Sequence, residues 1–268
     1  MRCNGKYLYK FIYTLSLVSL SLSPSLSGHQ RRSSGGGGGW STSDVRGQTA
    51  WVGSGTMLGE VYYAIANKTS RLGFPGSVGP TVGIGGYLSG GGFDLMLRKH
   101  GLASDHVLDA TMVDAKGRLL DRAAMKADLF WAIRGGGSGN FGIVLSCKLR
   151  LVPIPATVTV FTVHRSRNQS TTNLLIKWQR VAPSLPSDAF LHVVVPLYLD
   201  TRAGLIAIMA DTFPELNVTA SDCTEMMWIQ SVLDFAFYST GKPSEMLLDR
   251  GNGIGDPSGS WMRLARSS

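Results

Sequence analysis

Alternating apolar and polar positions predict strands in several parts of the chain. The alternation is clearest over 143–151, where the odd-numbered residues are all apolar and most even-numbered residues are polar. A period of two is typical of a strand with one buried face. Shorter runs rich in β-branched residues predict strands over 49–52, 107–114, 118–121, 157–163 and 191–199. Pro196 places the last of these near an edge of its sheet.

A period of three to four residues predicts helices between these strands. Apolar residues at 58, 61, 62 and 65 share one helical face, Thr56 can cap the helix, and Gly73 is expected to end it. Asp222 and Glu225 have capping-box spacing and predict a helix from Met226 onwards. Further helices are predicted over 125–134, 174–181 and 205–213.

The N-terminal residues have the order of a secretory signal peptide, predicted over 1–28. Basic residues occur at 2, 6 and 10, an apolar and serine-rich run covers 11–26, and small residues follow. The alternative is chance hydrophobicity. Sequons at Asn67, Asn168 and Asn217 agree with a secreted glycoprotein, in the cell wall or another secretory-pathway compartment. Residues 29–48 are rich in glycine and serine and predict a flexible linker.

Composition narrows the class of protein. The 268 residues are 44% hydrophobic and 16% charged, which excludes wholesale disorder. Basic residues exceed acidic ones by 26 − 18 = 8, but they are scattered, so no nucleic-acid partner is expected. No apolar stretch reaches the length of about eighteen residues that a membrane-spanning helix needs. Three cysteines exclude a disulfide-rich scaffold and leave Cys147 and Cys223 either paired or as two buried thiols. No metal site is expected.

Two glycine-rich stretches are the candidate functional elements. The first glycine segment, residues 80–93, has glycine at six of its fourteen positions. Because glycine has no side chain, a ligand or another backbone can come close to it. Successive main-chain N–H groups in such a segment can also point at phosphate oxygens. The segment is not a Walker loop, and it lacks the long helix and the acidic residue of a dinucleotide fingerprint. A cofactor loop and a structural turn are equal alternatives.

The second glycine segment, residues 135–144, joins a predicted helix to the strand over 143–151. Gly142 and Ile143 could place main-chain atoms directly against a flat ring. Arg134 could supply positive charge beside them, although a cation at the C-terminus of a helix is the favoured interpretation. The two segments are predicted to lie side by side, because a flat ring would need bare backbone on either side.

Several motifs occur together along the chain. They are Phe74-Pro75, Pro80-Thr-Val-Gly-Ile-Gly-Gly, Ser89-Gly-Gly-Gly, Arg98-Lys-His-Gly-Leu, Asp128-Leu-Phe-Trp-Ala-Ile-Arg-Gly-Gly-Gly, Asn140-Phe-Gly-Ile-Val and Met226-Met-Trp-Ile-Gln-Ser-Val. Together they resemble the berberine bridge enzyme-like flavoproteins of plants, members of the vanillyl-alcohol oxidase group with a PCMH-type FAD-binding domain. The resemblance implies an α+β fold. It places the second subdomain of the FAD-binding domain over 49–156, and part of an antiparallel-sheet substrate domain with helices over 157–268.

The resemblance also implies an activity, that of an FAD-dependent oxidoreductase. An alcohol, sugar or alkaloid substrate would give a hydride to flavin N5, with molecular oxygen as the acceptor, and a monomer acting on a small molecule is expected. By position, the residues implied to contact the cofactor are Thr81, Gly83, Gly85, Gly86, Tyr87, Ser89, Gly92, Phe93, Gly142, Ile143 and Val144. Whether this chain alone holds FAD is left open.

The sequence departs from the family's pattern at several points. Gly79 occupies the position of a cysteine that bonds FAD in many members, and the loop with the second attachment residue, a histidine, is not found, so FAD is expected without the two covalent bonds. Tyr87 replaces a histidine and cannot carry its positive charge. The catalytic base is unknown, and the chain resembles a member truncated at both ends. The alternative function is that of an inactive, secreted member acting at most as an interaction protein.

Overall fold

The structure is a computed structural model and describes residues 43–44, 47–163, 169–191, 196–236, 238 and 241–250. The predicted signal peptide, most of the predicted linker and the sequon at Asn168 lie outside the described residues. All described residues belong to one unit of the chain, which begins at Gly38.

Helices and antiparallel sheets make up the described residues, which confirms the predicted α+β class. The strands are β1 (Ser43–Asp44), β2 (Thr49–Gly53), β3 (Leu72–Gly73), β4 (Val107–Val113), β5 (Leu119–Leu120), β6 (Ile143–Arg150), β7 (Val152–Pro153), β8 (Val158–Phe161), β9 (Ala189–Phe190), β10 (Leu197–Tyr198) and β11 (Cys223–Met226). The helices are α1 (Leu58–Ala66), α2 (Ile84–Ser89), α3 (Leu97–His100), α4 (Arg122–Ala132), α5 (Gln169–Val181), α6 (Arg202–Thr212) and α7 (Trp228–Phe235).

The first sheet has the strand order β1-β2-β6-β4-β5, and every neighbouring pair is antiparallel. Strand β6 is central, and its Cys147 pairs with Val52 on one side and with Ala110 on the other. All three side chains are buried in a core that also contains the apolar face of α1. Removing these apolar faces from water is the main term that stabilises the sheet and fixes its register.

Strand β6 does not keep one apolar face along its whole length. Its pairing with β4 shifts at Leu145, which has no partner residue. An irregularity of one residue turns the side chains beyond it to the opposite face. Val144 therefore packs against the core, while Ile143 is 68% exposed and Leu145 is 44% exposed. The prediction of one apolar face over 143–151 is wrong for the first residues of the strand.

The second sheet has the strand order β11-β8-β10-β9 and is also antiparallel. Strand β8 lies inside the sheet, and all four of its residues are buried. Helix α6 covers this sheet with the buried side chains of Leu205 and Met209. The helix begins after Thr201, whose hydroxyl oxygen accepts a hydrogen bond from the Gly204 amide. The first sheet ends with β6 and the second begins with β8, but the domain limits near residue 156 stay a prediction.

Helix α1 ends earlier than the sequence predicts. Its last residue is Ala66, not a residue next to Gly73. Residues 72–73 instead form strand β3, which pairs with β7. The apolar pattern of the helix stops at Ile65, so the prediction was wrong in extending the helix to the next glycine.

The helix predicted from Met226 also begins later, at Trp228. The residues before it form strand β11, which pairs with the central strand β8 over four positions. Asp222 caps the preceding 3-10 turn instead, because its carboxylate accepts a hydrogen bond from the Thr219 amide. Pairing with a buried strand thus overrides the capping-box spacing of Asp222 and Glu225.

A basic segment just after the first glycine segment contacts the residues between helix α5 and strand β9. The guanidinium group of Arg98 donates hydrogen bonds to the carbonyl oxygens of Ala182 and Leu185, just after helix α5. Lys99 forms an ion pair with Asp188, beside strand β9. Hydrogen bonds from a charged donor are stronger than neutral ones, so these contacts hold helix α3 against the segment between α5 and β9.

Both described cysteines, Cys147 and Cys223, are free and buried. Of the two alternatives, the structure supports two buried thiols. Burial, with a smaller contribution from the charge of Asp109, raises the pKa of the Cys147 thiol to about 12. A thiol with so high a pKa is a poor nucleophile near neutral pH. Within the described ranges, no helix has both the length and the apolar character needed to cross a membrane.

Candidate functional site

The first glycine segment is anchored on the turn between β2 and α1. The amide of Ile84 donates a hydrogen bond of 2.9 Å to the carbonyl of Thr56, and the amide of Gly85 donates one of 3.3 Å to the carbonyl of Ser54. Ile84 is buried in the core. Because both its main chain and its apolar side are held, helix α2 presents a fixed outer face.

The glycines of this segment fall into two groups. A β-carbon at Gly85 would lie 2.9 Å from the β-carbon of Ser54. One at Gly92 would lie 2.7 Å from the β-carbon of Ala103. The protein's own packing therefore requires these two glycines. Gly83 and Gly86 are exposed, and a β-carbon at either would meet nothing within 4 Å. The structure thus leaves open surface beside α2, where a ligand can approach the main chain.

The two glycine segments lie side by side, as predicted. The amide of Gly137 donates a hydrogen bond of 3.0 Å to the carbonyl of Ser89, at the end of α2. Ser54 also connects the first glycine segment to strand β6, since its amide donates to the carbonyl of Leu145 and its carbonyl accepts from Gly85. Sequence reasoning missed Ser54, whose only signal is a glycine on either side. Its hydroxyl is buried and has no hydrogen-bond partner among the described residues.

Gly142 has a packing role of its own. Its φ is 141°, and a β-carbon there would overlap the carbonyl oxygen of Val113 and lie 2.7 Å from the terminal carbon of Met112. Strand β4 therefore requires this glycine whether or not a ring lies beside it. The surface that follows consists of the exposed side chains of Ile143 and Leu145, and not of bare backbone.

The structure does not bring every predicted contact residue to one surface. Val144 packs against the core. Phe93 is turned towards the second sheet, where its ring lies 6.0 Å from that of Phe190 in β9. Thr81 and Ser89 are half-buried. The predicted residues that are exposed at α2 or at the start of β6 are Gly83, Gly86 and Ile143.

Tyr87 uses its hydroxyl hydrogen within the first glycine segment. The hydroxyl donates a hydrogen bond of 2.7 Å to the carbonyl of Phe93. Burial raises the pKa of the Tyr87 phenol, and the nearby Asp94 carboxyl raises it further. The phenol is therefore neutral at physiological pH, and only its oxygen is free to accept a hydrogen bond.

Asp94 follows this segment directly and was missed by sequence reasoning. Only 4% of the residue is exposed, and its Oδ1 atom has no hydrogen-bond partner among the described residues. Burial raises the pKa of Asp94 to about 8, and the main-chain amides of Met96 and Leu97 offset part of that rise. Its signal in the sequence is a single acidic residue inside an apolar run, a type that is rarely buried alone.

Arg134, which directly precedes the second glycine segment, stacks on an aromatic ring of helix α4 together with Arg122, the first residue of that helix. The guanidinium carbon of Arg134 lies 4.7 Å from the centre of the Phe130 ring, and that of Arg122 lies 4.6 Å from it. This cation–π arrangement keeps Arg134 at the C-terminal end of α4. The position agrees with the favoured interpretation of a helix-terminal cation. In the described part of the chain, no group of three His, Cys, Asp or Glu side chains could hold a metal ion.

Comparison with known proteins shows which family has this arrangement. The FAD binding domain family matches residues 39–123. The berberine bridge enzyme-like protein Cyn d 4 of Cynodon dactylon is 50% identical over 197 residues, which are 70% of this chain and 38% of that protein. A monolignol oxidoreductase of Arabidopsis thaliana is 44% identical over 225 residues, with 77% of this chain and 42% of that protein covered. The chain belongs to the berberine bridge enzyme-like family.

The solved structures agree with this membership. Phl p 4, a grass pollen allergen with glucose dehydrogenase activity, superposes with a TM-score of 0.75 at 41% identity, covering 79% of this chain and 45% of that one. The chain therefore spans less than half the length of these relatives. The berberine bridge enzyme-like proteins are FAD-dependent oxidoreductases, and FAD is the cofactor of the family.

The candidate site fits a flat cofactor ring on two observations. Gly83 and Gly86 leave room for a ring to approach the main chain of α2. Ile143 and Leu145, next to it through Ser54, offer exposed apolar side chains to a ring face. The residues present therefore fit the isoalloxazine of FAD, while none of the residues in the turn before α2 offers a sulfur atom.

Proposed function

We propose that this chain holds FAD between its two glycine segments as part of an oxidoreductase. FAD would supply the hydride acceptor, N5, for an alcohol, sugar or alkaloid substrate, with molecular oxygen as the final acceptor. The single observation that carries the proposal is the open, side-chain-free face of α2 beside the exposed start of β6. Monolignols and glucose, named for two of the relatives, both carry oxidisable hydroxyl groups, which supports an alcohol or sugar as substrate.

The chain's own residues would bind and orient the ring. Gly83 and Gly86 allow close approach to the main chain, and Ile143 with Leu145 would cover apolar ring surface and exclude water from it. The rigid connection through Ser54 would keep both sides of the site at a constant separation. Such preorganisation lowers the entropy lost on binding.

Replacing Gly86 by leucine tests the proposal. The side chain would enter open space, and leucine is a better helix former than glycine by about 0.5–1 kcal/mol, so folding should be unaffected or slightly favoured. It would also fill the surface proposed for the ring. We expect FAD affinity, measured by titration of the full chain with flavin fluorescence as the readout, to fall at least about tenfold.

Ala207→Leu is the matched control, since it adds a leucine to the exposed side of helix α6, beside the second sheet. It should leave FAD affinity unchanged. Equal affinities of Gly86→Leu and the control would contradict the proposed location. Acid precipitation of the wild-type complex should release the flavin to the supernatant, because Gly79 has no sulfur for a thioether bond.

We further propose that the protein is a secreted glycoprotein and acts as a monomer. Asn67 directly follows helix α1 as its C-cap and Asn217 lies in a left-handed turn, and both are exposed, as an acceptor asparagine must be. The signal peptide proposed over 1–28 and the sequon at Asn168 lie outside the described residues.

A second candidate is an inactive member that acts as an interaction protein. Trp131 in α4 is 74% exposed, and Leu119 in β5 is also largely exposed. Exposed large apolar side chains of this kind occur at interaction surfaces. The FAD titration separates the two candidates, since this one requires that the wild-type chain bind no flavin.

A further inference from the structure

A small cavity, lined mostly by buried residues, lies between the end of the first glycine segment and helix α7. Its volume is about 20 Å³, and its polar lining comes from Tyr62, Ser77, Asp94 and Ser231, with apolar side chains around them. A single water needs roughly 10–15 Å³ of such space and two to four polar partners. The cavity therefore has the size and the chemistry to hold one water molecule.

The hydrogen-bond donors and acceptors around this cavity leave one group unmatched. The Tyr62 hydroxyl donates to the carbonyl of Ser77 over 2.7 Å, and the Ser231 hydroxyl donates to the carbonyl of Trp228 over 2.7 Å. Both hydroxyl oxygens can still accept a hydrogen bond. Asp94 Oδ1 has no partner among the described residues, and leaving a buried carboxyl oxygen unpaired is costly.

We propose that Asp94 is a neutral carboxylic acid that shares one buried water molecule with Tyr62 and Ser231, and that this water connects the first glycine segment to helix α7. The Oδ1 hydroxyl donates its hydrogen to the water, which donates in turn to the oxygens of Tyr62 and Ser231. Every polar group at the cavity then has a partner, and no charge is buried.

The charges around Asp94 support the neutral form. Within the described residues, no Lys, Arg or His side chain lines the cavity. The phenols of Tyr62 on α1 and Tyr87 on α2 interact electrostatically with Asp94, and burial raises the pKa of both. Asp234 on α7 is half-buried and does not line the cavity, and burial raises its pKa too. Among the described residues that line the cavity, none is a cation that would stabilise a carboxylate at this position.

The proposal predicts how stability depends on pH. Because the pKa of Asp94 is raised in the folded chain, to about 8, folding favours its protonated form. The contribution of Asp94 to the free energy of unfolding is therefore fully present at low pH. It is lost as the pH rises from the ordinary carboxyl pKa of about 4 towards about 8. In that window the folding equilibrium constant should fall by up to about tenfold for each pH unit, relative to a variant without the carboxyl.

Asp94→Asn tests this, because asparagine keeps the shape of a neutral acid and cannot ionise. Unfolding of the full chain by urea at several pH values should show wild type losing stability relative to Asp94→Asn as the pH rises from about 5 to about 8. The control, Asp211→Asn, removes an exposed carboxyl from helix α6 and should follow wild type. Parallel pH profiles for wild type and Asp94→Asn would overturn the proposal.

A measurement on the wild-type chain keeps the proposal testable even if Asp94→Asn does not fold. Its infrared spectrum near neutral pH should contain the C=O band of a protonated carboxylic acid, which disappears above about pH 8. The band should persist in Asp211→Asn. Absence of the band would show that Asp94 is ionised and would overturn the neutral acid. A crystal structure without density for water in the cavity would overturn the shared water.

Discussion

Gly142→Ala is expected to destabilise the chain by about 3 kcal/mol or more, measured as the free energy of unfolding in urea. A positive φ costs a non-glycine residue about 1–3 kcal/mol. The added β-carbon would also overlap the carbonyl oxygen of Val113, and overpacking typically costs about 1–3 kcal/mol. Strands β4 and β6 would have to separate locally, at the edge of the site.

Gly139→Ala is the matched control within the same glycine segment. A β-carbon at Gly139 meets nothing within 4 Å, and the residue has no positive φ. Its free energy of unfolding should stay within about 0.5 kcal/mol of wild type. If Gly142→Ala proved as stable as Gly139→Ala, the close packing of Gly142 against β4 would be wrong.

Trp228→Ala is expected to cost about 3–5 kcal/mol in the free energy of unfolding. The Trp228 ring is buried, stacks edge-to-face on the Tyr62 ring at 5.4 Å between centres, and would lie 3.2 Å from a β-carbon at Gly73. It therefore fills the space between helices α7 and α1. Its loss would leave a cavity that the surrounding rigid elements cannot close.

Trp131→Ala is the control, since it removes the same side chain from an exposed position on helix α4. Thermal unfolding should show a melting temperature close to that of wild type, whereas Trp228→Ala should melt well below it. A similar loss of stability in both variants would mean that Trp228 does not join the two helices in the way described.

Local sequence patterns predicted those elements whose residues pack as the pattern requires. The helical period at 58–65 and the β-branched run around β8 are examples, because both bury the face that the pattern marks. The shift at Leu145 could not be predicted from the sequence of β6. A bulge depends on how a strand pairs with its neighbour, here β4, and not on the strand's own residues alone. The same holds for β11, where pairing with β8 overrides local capping signals.

The candidate site was predictable as a pair of glycine-rich segments, but the roles of single residues were not. The sequence does not distinguish Gly85 and Gly142, which the protein's own packing requires, from Gly83 and Gly86, which face open space. Ser54 gains its role only from contacts with residues far away in the sequence. A resemblance in motifs therefore indicates a candidate site, and three-dimensional packing decides which of its residues are available to a ligand.

Hydrogen exchange of the full chain, with and without FAD, tests the central claim most directly. If FAD lies between the glycine segments, the amides of 83–87 and 143–145 should both exchange more slowly at saturating FAD. The amides of helix α6, beside the second sheet, should exchange at unchanged rates. Unchanged exchange in both glycine segments, or protection confined to the second sheet, would contradict the account.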